Sequence, residues 1–309
     1  MFRLLAPFCL LPGLVSPVFA QTDRPPRVVA SIKPLHALVG GIMEGTGEPV
    51  LLIDGSMSPH GYRLTPTDAR RLETADLVIW IGPSLESKLA KPLRNLVPAD
   101  NLLTLGTQPK LTRLPAREGG AWTDHDHGDT HAGIHDYHDD PHIWLDPRNA
   151  RKIVDMVAGR LQQLDPAHAE LYADNTRQMQ ARIEALDREI AVTLADVKNI
   201  PYLVFHDALQ YFEHRYGLSP AGTLTIDPER SPGARRLLEL RQLIREKNIR
   251  CVFHEPQFGT KVVDVLLEDT GAKLVTLDPL GLNVAPGSEG YLQLLQQLAA
   301  DMRGCLAGK

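Results

Sequence analysis

Histidine and aspartate are concentrated in one short stretch of this chain, DHDHGDTHAGIHDYHDDPH, which runs from Asp124 to His142. Six of the chain's 12 histidines lie in it, interleaved with six aspartates. Imidazole nitrogens and carboxylate oxygens are ligands of divalent transition metals. Because the stretch has almost no aliphatic residues, it cannot bury enough apolar surface to form a packed element. We therefore expect a surface loop over 113–141 with auxiliary metal ligands at His125, His127, His131, His135 and His138; a solvated acidic loop without ligands is the alternative.

Four further candidate ligands are spread along the chain, each beyond the carboxyl end of a segment that is predicted as a β-strand: His60, His142 (after the acidic stretch), His206 and Asp278. Ligands of open parallel sheets bind beyond the carboxyl ends of the strands. Three imidazoles and one carboxylate suit tetrahedral Zn²⁺, whereas manganese and magnesium favour more oxygen ligands and copper(I) favours thiolates. A single histidine at a strand end is usually a packing or surface residue. It is the recurrence of the same position that indicates a shared metal site.

Short apolar segments alternate with helical ones in two similar halves of the chain. The predicted strands are 28–32, 50–53, 77–81 and 102–105 in the first half, and 202–205, 218–223, 249–253 and 273–277 in the second. Predicted helices cover 35–43 and 65–74, then 206–216, 231–247, 260–269 and 291–306. Between the halves, apolar residues recur every three or four positions in a helix of about 30 residues. The pattern predicts an α/β fold of two Rossmann-like lobes, each with a four-stranded parallel sheet, joined by a long rigid helix.

The bulk features of the chain indicate an exported protein. Residues 1–20 have the pattern of a secretory signal, with Arg3, an apolar stretch and a small-residue cleavage site at Ala20. The remaining divisions are predicted as an N-terminal lobe over 21–145, linking helices over 146–200 and a C-terminal lobe over 201–309. An exported chain favours a disulfide between Cys251 and Cys305, with two unrelated buried thiols as the alternative. The net charge of −5 and the lack of a basic patch argue against nucleic acid as a partner.

Five segments of the chain are distinctive: SPHGYRLTPTDARRLETADLVIWIG from Ser58, DPHIWLDPRNA from Asp140, FHDALQYF from Phe205, CVFHEPQF from Cys251 and TLDPLG from Thr276. Together they resemble the solute-binding proteins of zinc and manganese ABC importers, the cluster A-I (cluster 9) family, and in particular its periplasmic zinc-binding, ZnuA-type members. The resemblance covers essentially the whole chain after residue 20.

This resemblance implies a metal held between two lobes by His60, His142 and His206, with a His-rich loop beside it. Manganese-binding members usually carry a carboxylate at the position of His206, which favours zinc here. Some zinc-binding members have an acidic residue before the first ligand histidine, where this chain has Pro59, so Asp278 or a water must complete the shell. The implied function is periplasmic capture of Zn²⁺ and its delivery to an inner-membrane ABC permease with a cytoplasmic ATPase, by a monomeric protein that is not an enzyme.

Other functions stay open at this point. A manganese-importing homologue would share the fold. A zinc hydrolase also uses three histidines with an open coordination position, although this chain has no HExxH motif. A metal-dependent adhesin or storage protein is the third alternative, and it would show many weak metal sites without one dominant site.

The remaining histidines and nearby residues have simpler interpretations. We expect packing roles for His36, Trp144 and Tyr211, and solvent-facing positions for His168 and His214. An auxiliary metal contact by His254 and a supporting role for Glu255 behind a ligand are the less favoured alternatives.

Overall fold

The computed structural model describes residues 24–117 and 139–308. The predicted signal segment 1–20 lies outside the described residues, and so do the loop histidines His125, His127, His131, His135 and His138. Among the helices of the described ranges, none is both long and apolar enough to cross a membrane.

The first lobe is built on a four-stranded parallel sheet with strand order β2-β1-β3-β4. Its strands are β1 (Val28–Ile32), β2 (Val50–Ile53), β3 (Leu77–Trp80) and β4 (Leu102–Thr104), and its helices are α1 (Lys33–Ile42), α2 (Pro66–Glu73) and α3 (Ala90–Leu96). β1 is buried along its whole length, as expected for a parallel strand with both faces covered. A capping box between Thr65 and Asp68 begins α2. The helix α3 was not predicted, because seven residues are too few for a helical period to show.

Two helices link the lobes, α4 (Pro147–Leu164) and α5 (Ala169–Thr193). The side chain of Asp146 accepts a hydrogen bond from the backbone N–H of Arg148 and so caps α4. α5 packs against α1 and carries the predicted buried face, which includes Met179, Ile183, Leu186 and Ile190. α5 ends at Thr193 and is shorter than the predicted helix of about 30 residues. The prediction was too long because the apolar spacing continues beyond the helix, through a series of turns in which Leu194 and Val197 are also buried.

The second lobe repeats the topology of the first, with strand order β6-β5-β7-β8. Its strands are β5 (Tyr202–Val204), β6 (Pro220–Thr223), β7 (Cys251–His254) and β8 (Lys273–Thr276), and its helices are α6 (Gln210–Tyr216), α7 (Ala234–Glu246), α8 (Lys261–Leu267) and α9 (Gly290–Leu306). α7 begins after Gly233 and not at the predicted Ser231, because the backbone is still extended at Gly233. The predicted α/β fold, with a four-stranded parallel sheet in each of two lobes, is confirmed.

The core is largely shared between the lobes. One apolar cluster extends from the first sheet through α4, α5 and α9 to the inner face of the second sheet, and a smaller one lies under α7 and α8. The disulfide joins Cys251 at the start of β7 to Cys305 on α9, as predicted, so the alternative of two unrelated thiols is wrong.

Candidate metal centre

His60 lies in the loop that follows β2, beyond the carboxyl end of the first sheet. Gly55 turns the chain away from β2 with a φ of +86°, which favours glycine. Farther along, the Tyr62 hydroxyl donates a hydrogen bond of 2.7 Å to Asp68 and holds the loop against the first turn of α2. The Nε2 atom of His60 is buried and has no hydrogen-bond partner among the described residues.

His142 lies just before α4, in the segment Asp140-Pro141-His142. Oδ1 of Asp140 accepts a hydrogen bond of 2.8 Å from the backbone N–H of His142 and lies 2.7 Å from its Nδ1. Two residues later, the indole N–H of Trp144 donates to the backbone oxygen of Pro279 at 2.9 Å. His142 therefore lies against the second lobe, although it precedes the linking helices in sequence.

His206 follows β5, and its partner follows the neighbouring strand β7. Oε1 of Glu255 lies 2.5 Å from Nδ1 of His206. Both side chains are buried, so the imidazole and the carboxylate face each other with little access to water. A carboxylate behind a histidine fixes the ring orientation and leaves the other nitrogen free to bind a metal.

The three histidines converge in the described structure. One ligand nitrogen from each of His60, His142 and His206 lies within 4.8 Å of the other two. Nε2 of His206 is 3.4 Å from Nε2 of His142. If each Nδ1 donates its proton to the carboxylate behind it, both of these Nε2 atoms carry lone pairs directed at the same point. Two facing lone pairs cannot form a hydrogen bond with each other, but both can bind one cation.

Burial keeps two of the imidazoles neutral. Desolvation, with the neighbouring His142 and His206, holds the pKa of His60 well below its ordinary value. Burial beside His206 lowers the pKa of His142 to about 3. Burial alone would also lower the pKa of His206, but the Glu255 carboxylate raises it above its ordinary value. A metal therefore competes with a proton mainly at His206.

Two other predicted contacts lie outside this group. Asp278 is not part of it; its Oδ1 accepts from the Leu280 N–H at 3.0 Å and from the Gln257 amide at 3.1 Å, and its Oδ2 accepts from the Leu282 N–H. His254 is also outside the group; it is buried against Phe205, with the two ring centroids 5.6 Å apart.

The simpler interpretations agree with the structure. Trp144 and Tyr211 are fully buried, and the half-buried ring of His36 lies 3.0 Å through Nε2 from the backbone oxygen of Pro49. His168 and His214 are exposed. Glu255, the less favoured alternative of the sequence analysis, is the carboxylate that contacts His206.

A partly buried ion cluster behind the histidines was not predicted from the sequence. Nε of Arg117 donates to Asp207 at 2.8 Å and its Nη2 donates to Glu213 at 2.6 Å. Since Asp207 follows His206 directly, the cluster fixes the chain next to that histidine. No local pattern could reveal these pairs, because Arg117 is 90 positions from Asp207 and 96 from Glu213. Asp140 was also missed, although an aspartate side chain commonly accepts a hydrogen bond from the backbone N–H two residues later, as in an Asx turn.

Two parallel α/β lobes with a tri-histidine group between them define a two-lobe protein with a candidate metal centre in its cleft. The family model of the periplasmic zinc-uptake complex component A, ZnuA, matches residues 28–305. The chain belongs to the ZnuA family, as the resemblance of its motifs predicted.

Known relatives agree with this assignment. The chain is 40% identical over 307 residues to the high-affinity zinc uptake system protein ZnuA of Brucella suis biovar 1, with 91% of each chain covered. It is 35% identical over 289 residues to the protein of the same name from Yersinia pestis, covering 90% of this chain and 91% of that one. Its fold is similar to that of the periplasmic zinc-binding protein TroA from Treponema pallidum, with a TM-score of 0.77, 22% identity, and 91% of this chain and 99% of that chain covered.

Proposed function

We propose that this chain binds Zn²⁺ in the cleft through His60, His142 and His206 and delivers it to an inner-membrane ABC permease with a cytoplasmic ATPase. The observation that supports the proposal above all is the convergence of three buried imidazole nitrogens within 4.8 Å. The relatives' shared name, high-affinity zinc uptake system protein, agrees with it. The family is periplasmic, and we propose that the segment 1–20 directs export and is then removed, and that the protein acts as a monomer.

We propose that a water completes the zinc shell at the fourth coordination position. Asp278 was predicted as the carboxylate ligand, but it is not part of the converging group, and backbone and amide groups donate hydrogen bonds to both of its oxygens. Three neutral imidazoles and one water make a tetrahedral zinc shell. The five loop histidines, His125, His127, His131, His135 and His138, lie outside the described residues and remain a proposed set of auxiliary, weaker sites.

Neither main alternative gains support. A manganese site would favour a larger share of oxygen ligands than three imidazoles provide. Against the hydrolase alternative stands the family itself, which consists of transport components.

The first test removes one ligand at a time. His60→Ala and His206→Ala should each weaken the tight zinc site by about 100-fold or more, because losing a ligand costs more than losing a residue behind a ligand. Calorimetry with a competing chelator measures this affinity. His214→Ala, which removes an exposed histidine on α6, is the matched control and should leave the tight site unchanged.

Deleting residues 124–138 completes the experiment. The deletion should remove only the weaker binding events and keep the tight one. Loss of the tight site in the deletion variant, together with unchanged affinity in His60→Ala and His206→Ala, would show that the ligand assignment is wrong.

A further inference from the structure

We propose that Gln257 is a positioning residue that latches the loop carrying His60 to the second lobe, and that Asp278 orients Gln257 for this role. The loop in question, residues 54–62, is called the His60 loop below. The proposal deepens the proposed function, on which it rests for one of its two measurements.

The side chain of Gln257 connects the two lobes beside the metal centre. Gln257 lines the same cavity as His60, His142 and His206. Its Nε2 donates one hydrogen bond of 2.9 Å to the backbone oxygen of Gly55, in the His60 loop. The same nitrogen donates a second, of 3.1 Å, to Oδ1 of Asp278 in the second lobe. One amide group thus joins the His60 loop to the carboxyl end of β8.

Asp278 is itself held in place by its own turn. It accepts hydrogen bonds from the backbone N–H groups of Leu280 and Leu282. From the first lobe, the ammonium group of Lys33 donates to the backbone oxygens of Leu282 at 2.9 Å and Val284 at 2.7 Å. The acceptor for Gln257 is therefore a charged group in a turn that contacts both lobes, and hydrogen bonds to charged groups are the stronger ones.

The latch matters because His60 lacks the support that the other two histidines have. His142 and His206 each have a carboxylate against Nδ1, and the part of the chain that the structure describes shows no such ion pair for His60. Its position depends on the His60 loop. A bound metal leaves only after one of its ligands moves away, so a contact that holds this loop closed slows the release of metal. The same contact is formed in the zinc-free structure, so it slows the entry of metal as well.

Gln257→Met tests the latch, since methionine keeps the length of the side chain and removes both hydrogen bonds. The matched control is Gln180→Met on α5, because Nε2 of Gln180 likewise donates to a backbone oxygen, that of Arg151, and to a carboxylate, that of Asp155. Gln257→Met should speed zinc dissociation by about tenfold in stopped-flow chelator competition. The association rate constant should rise as well, because the same contact closes the zinc-free cleft, and Gln180→Met should change neither rate.

A second measurement uses the zinc-free protein and does not depend on zinc binding. In hydrogen exchange followed by mass spectrometry, peptides covering residues 54–62 should exchange faster in Gln257→Met than in the wild type or in Gln180→Met. Asp278→Asn removes the charged acceptor that orients Gln257 but leaves the amide group of Gln257 in place. It should speed both zinc dissociation and the exchange of residues 54–62, by a smaller factor than Gln257→Met.

Unchanged exchange of the His60 loop in Gln257→Met would overturn the latch, whatever happens to zinc affinity. An equal effect of Gln180→Met on dissociation would also overturn it, since the effect would then be one of general stability. Failure of the proposed function appears differently, as tight zinc binding that survives His60→Ala and His206→Ala.

Discussion

Among the individual residues, the three histidines differ in what lies behind each ring. Asp140 contacts Nδ1 of His142 at 2.7 Å, and Glu255 contacts Nδ1 of His206 at 2.5 Å. Each carboxylate selects the tautomer whose Nε2 lone pair faces the cleft. Two of the three histidines, His142 and His206, are therefore already oriented before a metal binds.

The carboxylate of Glu255 should contribute to zinc affinity although it is not a ligand. Glu255→Gln keeps a side-chain oxygen that accepts a hydrogen bond but removes the charge that makes His206 a better donor to the metal. We expect zinc to bind about tenfold more weakly, at the lower end of the range for residues behind a ligand. Competition calorimetry at fixed pH measures the change.

The control for this substitution is a second histidine–carboxylate pair on the surface. Asp165 lies 2.8 Å from Nδ1 of the exposed His168. Asp165→Asn should leave zinc affinity unchanged. Equal affinities for Glu255→Gln and the wild type would mean that the charge behind His206 has no influence on the metal.

The sequence predicted which histidines converge, but not how each carboxylate is used. His60, His142 and His206 were predictable because each lies beyond the carboxyl end of a strand in one of the two parallel sheets. Asp278 occupies an equivalent position, and nothing in a sequence shows that the following turn will donate a hydrogen bond to each of its oxygens. Contacts across the fold decide such roles.

At the scale of elements, Glu86 connects the carboxyl ends of two strands. Its side chain is fully buried. The hydroxyl of Ser31 at the end of β1 donates to Oε1 at 2.5 Å, and the N–H of Gly82 after β3 donates to Oε2 at 2.9 Å.

The positions of the strands were predictable from their apolar runs. The bounds of α5 and α7 were less predictable, because apolar spacing and candidate cap residues extend beyond these helices. The buried carboxyl between the strands had no signal in the sequence.

Glu86 should make the stability of the protein depend on pH. Burial raises the pKa of Glu86 to about 7, above the ordinary value of 4.5. Between these pH values the folded protein holds a proton that the unfolded chain releases. The contribution of Glu86 to the free energy of unfolding is therefore fully present below about pH 4.5. It is lost as the pH rises to about 7, and the free energy of unfolding decreases by about 3 kcal/mol over this range. Glu86→Gln should remove this part of the pH dependence.

Urea denaturation of the zinc-free protein at several values between pH 4.5 and 7.5 measures the effect as the difference between wild type and variant, which cancels the contributions of other groups. Glu73→Gln, on the exposed side of α2, should follow the wild-type profile. Parallel profiles for Glu86→Gln and the wild type would show that Glu86 titrates near its ordinary pKa in the folded protein.

At the scale of the whole molecule, the two lobes share one core. The large apolar cluster contains residues of both sheets together with α4, α5 and α9. Polar contacts join the lobes as well, from Trp144 to Pro279, from Gln257 to Gly55 and from Lys33 to Leu282. The sequence predicted two sheets and a connecting helix, but these contacts span 135, 202 and 249 positions and leave no local pattern.

A shared core predicts that the two lobes unfold together. In guanidinium chloride, the oxidised, zinc-free protein should show one transition, with coincident curves from far-UV circular dichroism and tryptophan fluorescence. Free zinc at 100 times its dissociation constant should move the whole transition and add about 2.7 kcal/mol to the free energy of unfolding. His206→Ala should keep the single transition and lose this shift at the same zinc concentration. Two separate transitions in the zinc-free protein would mean that each lobe is stable alone, and that the apolar contacts along α5 and α9 do not couple them.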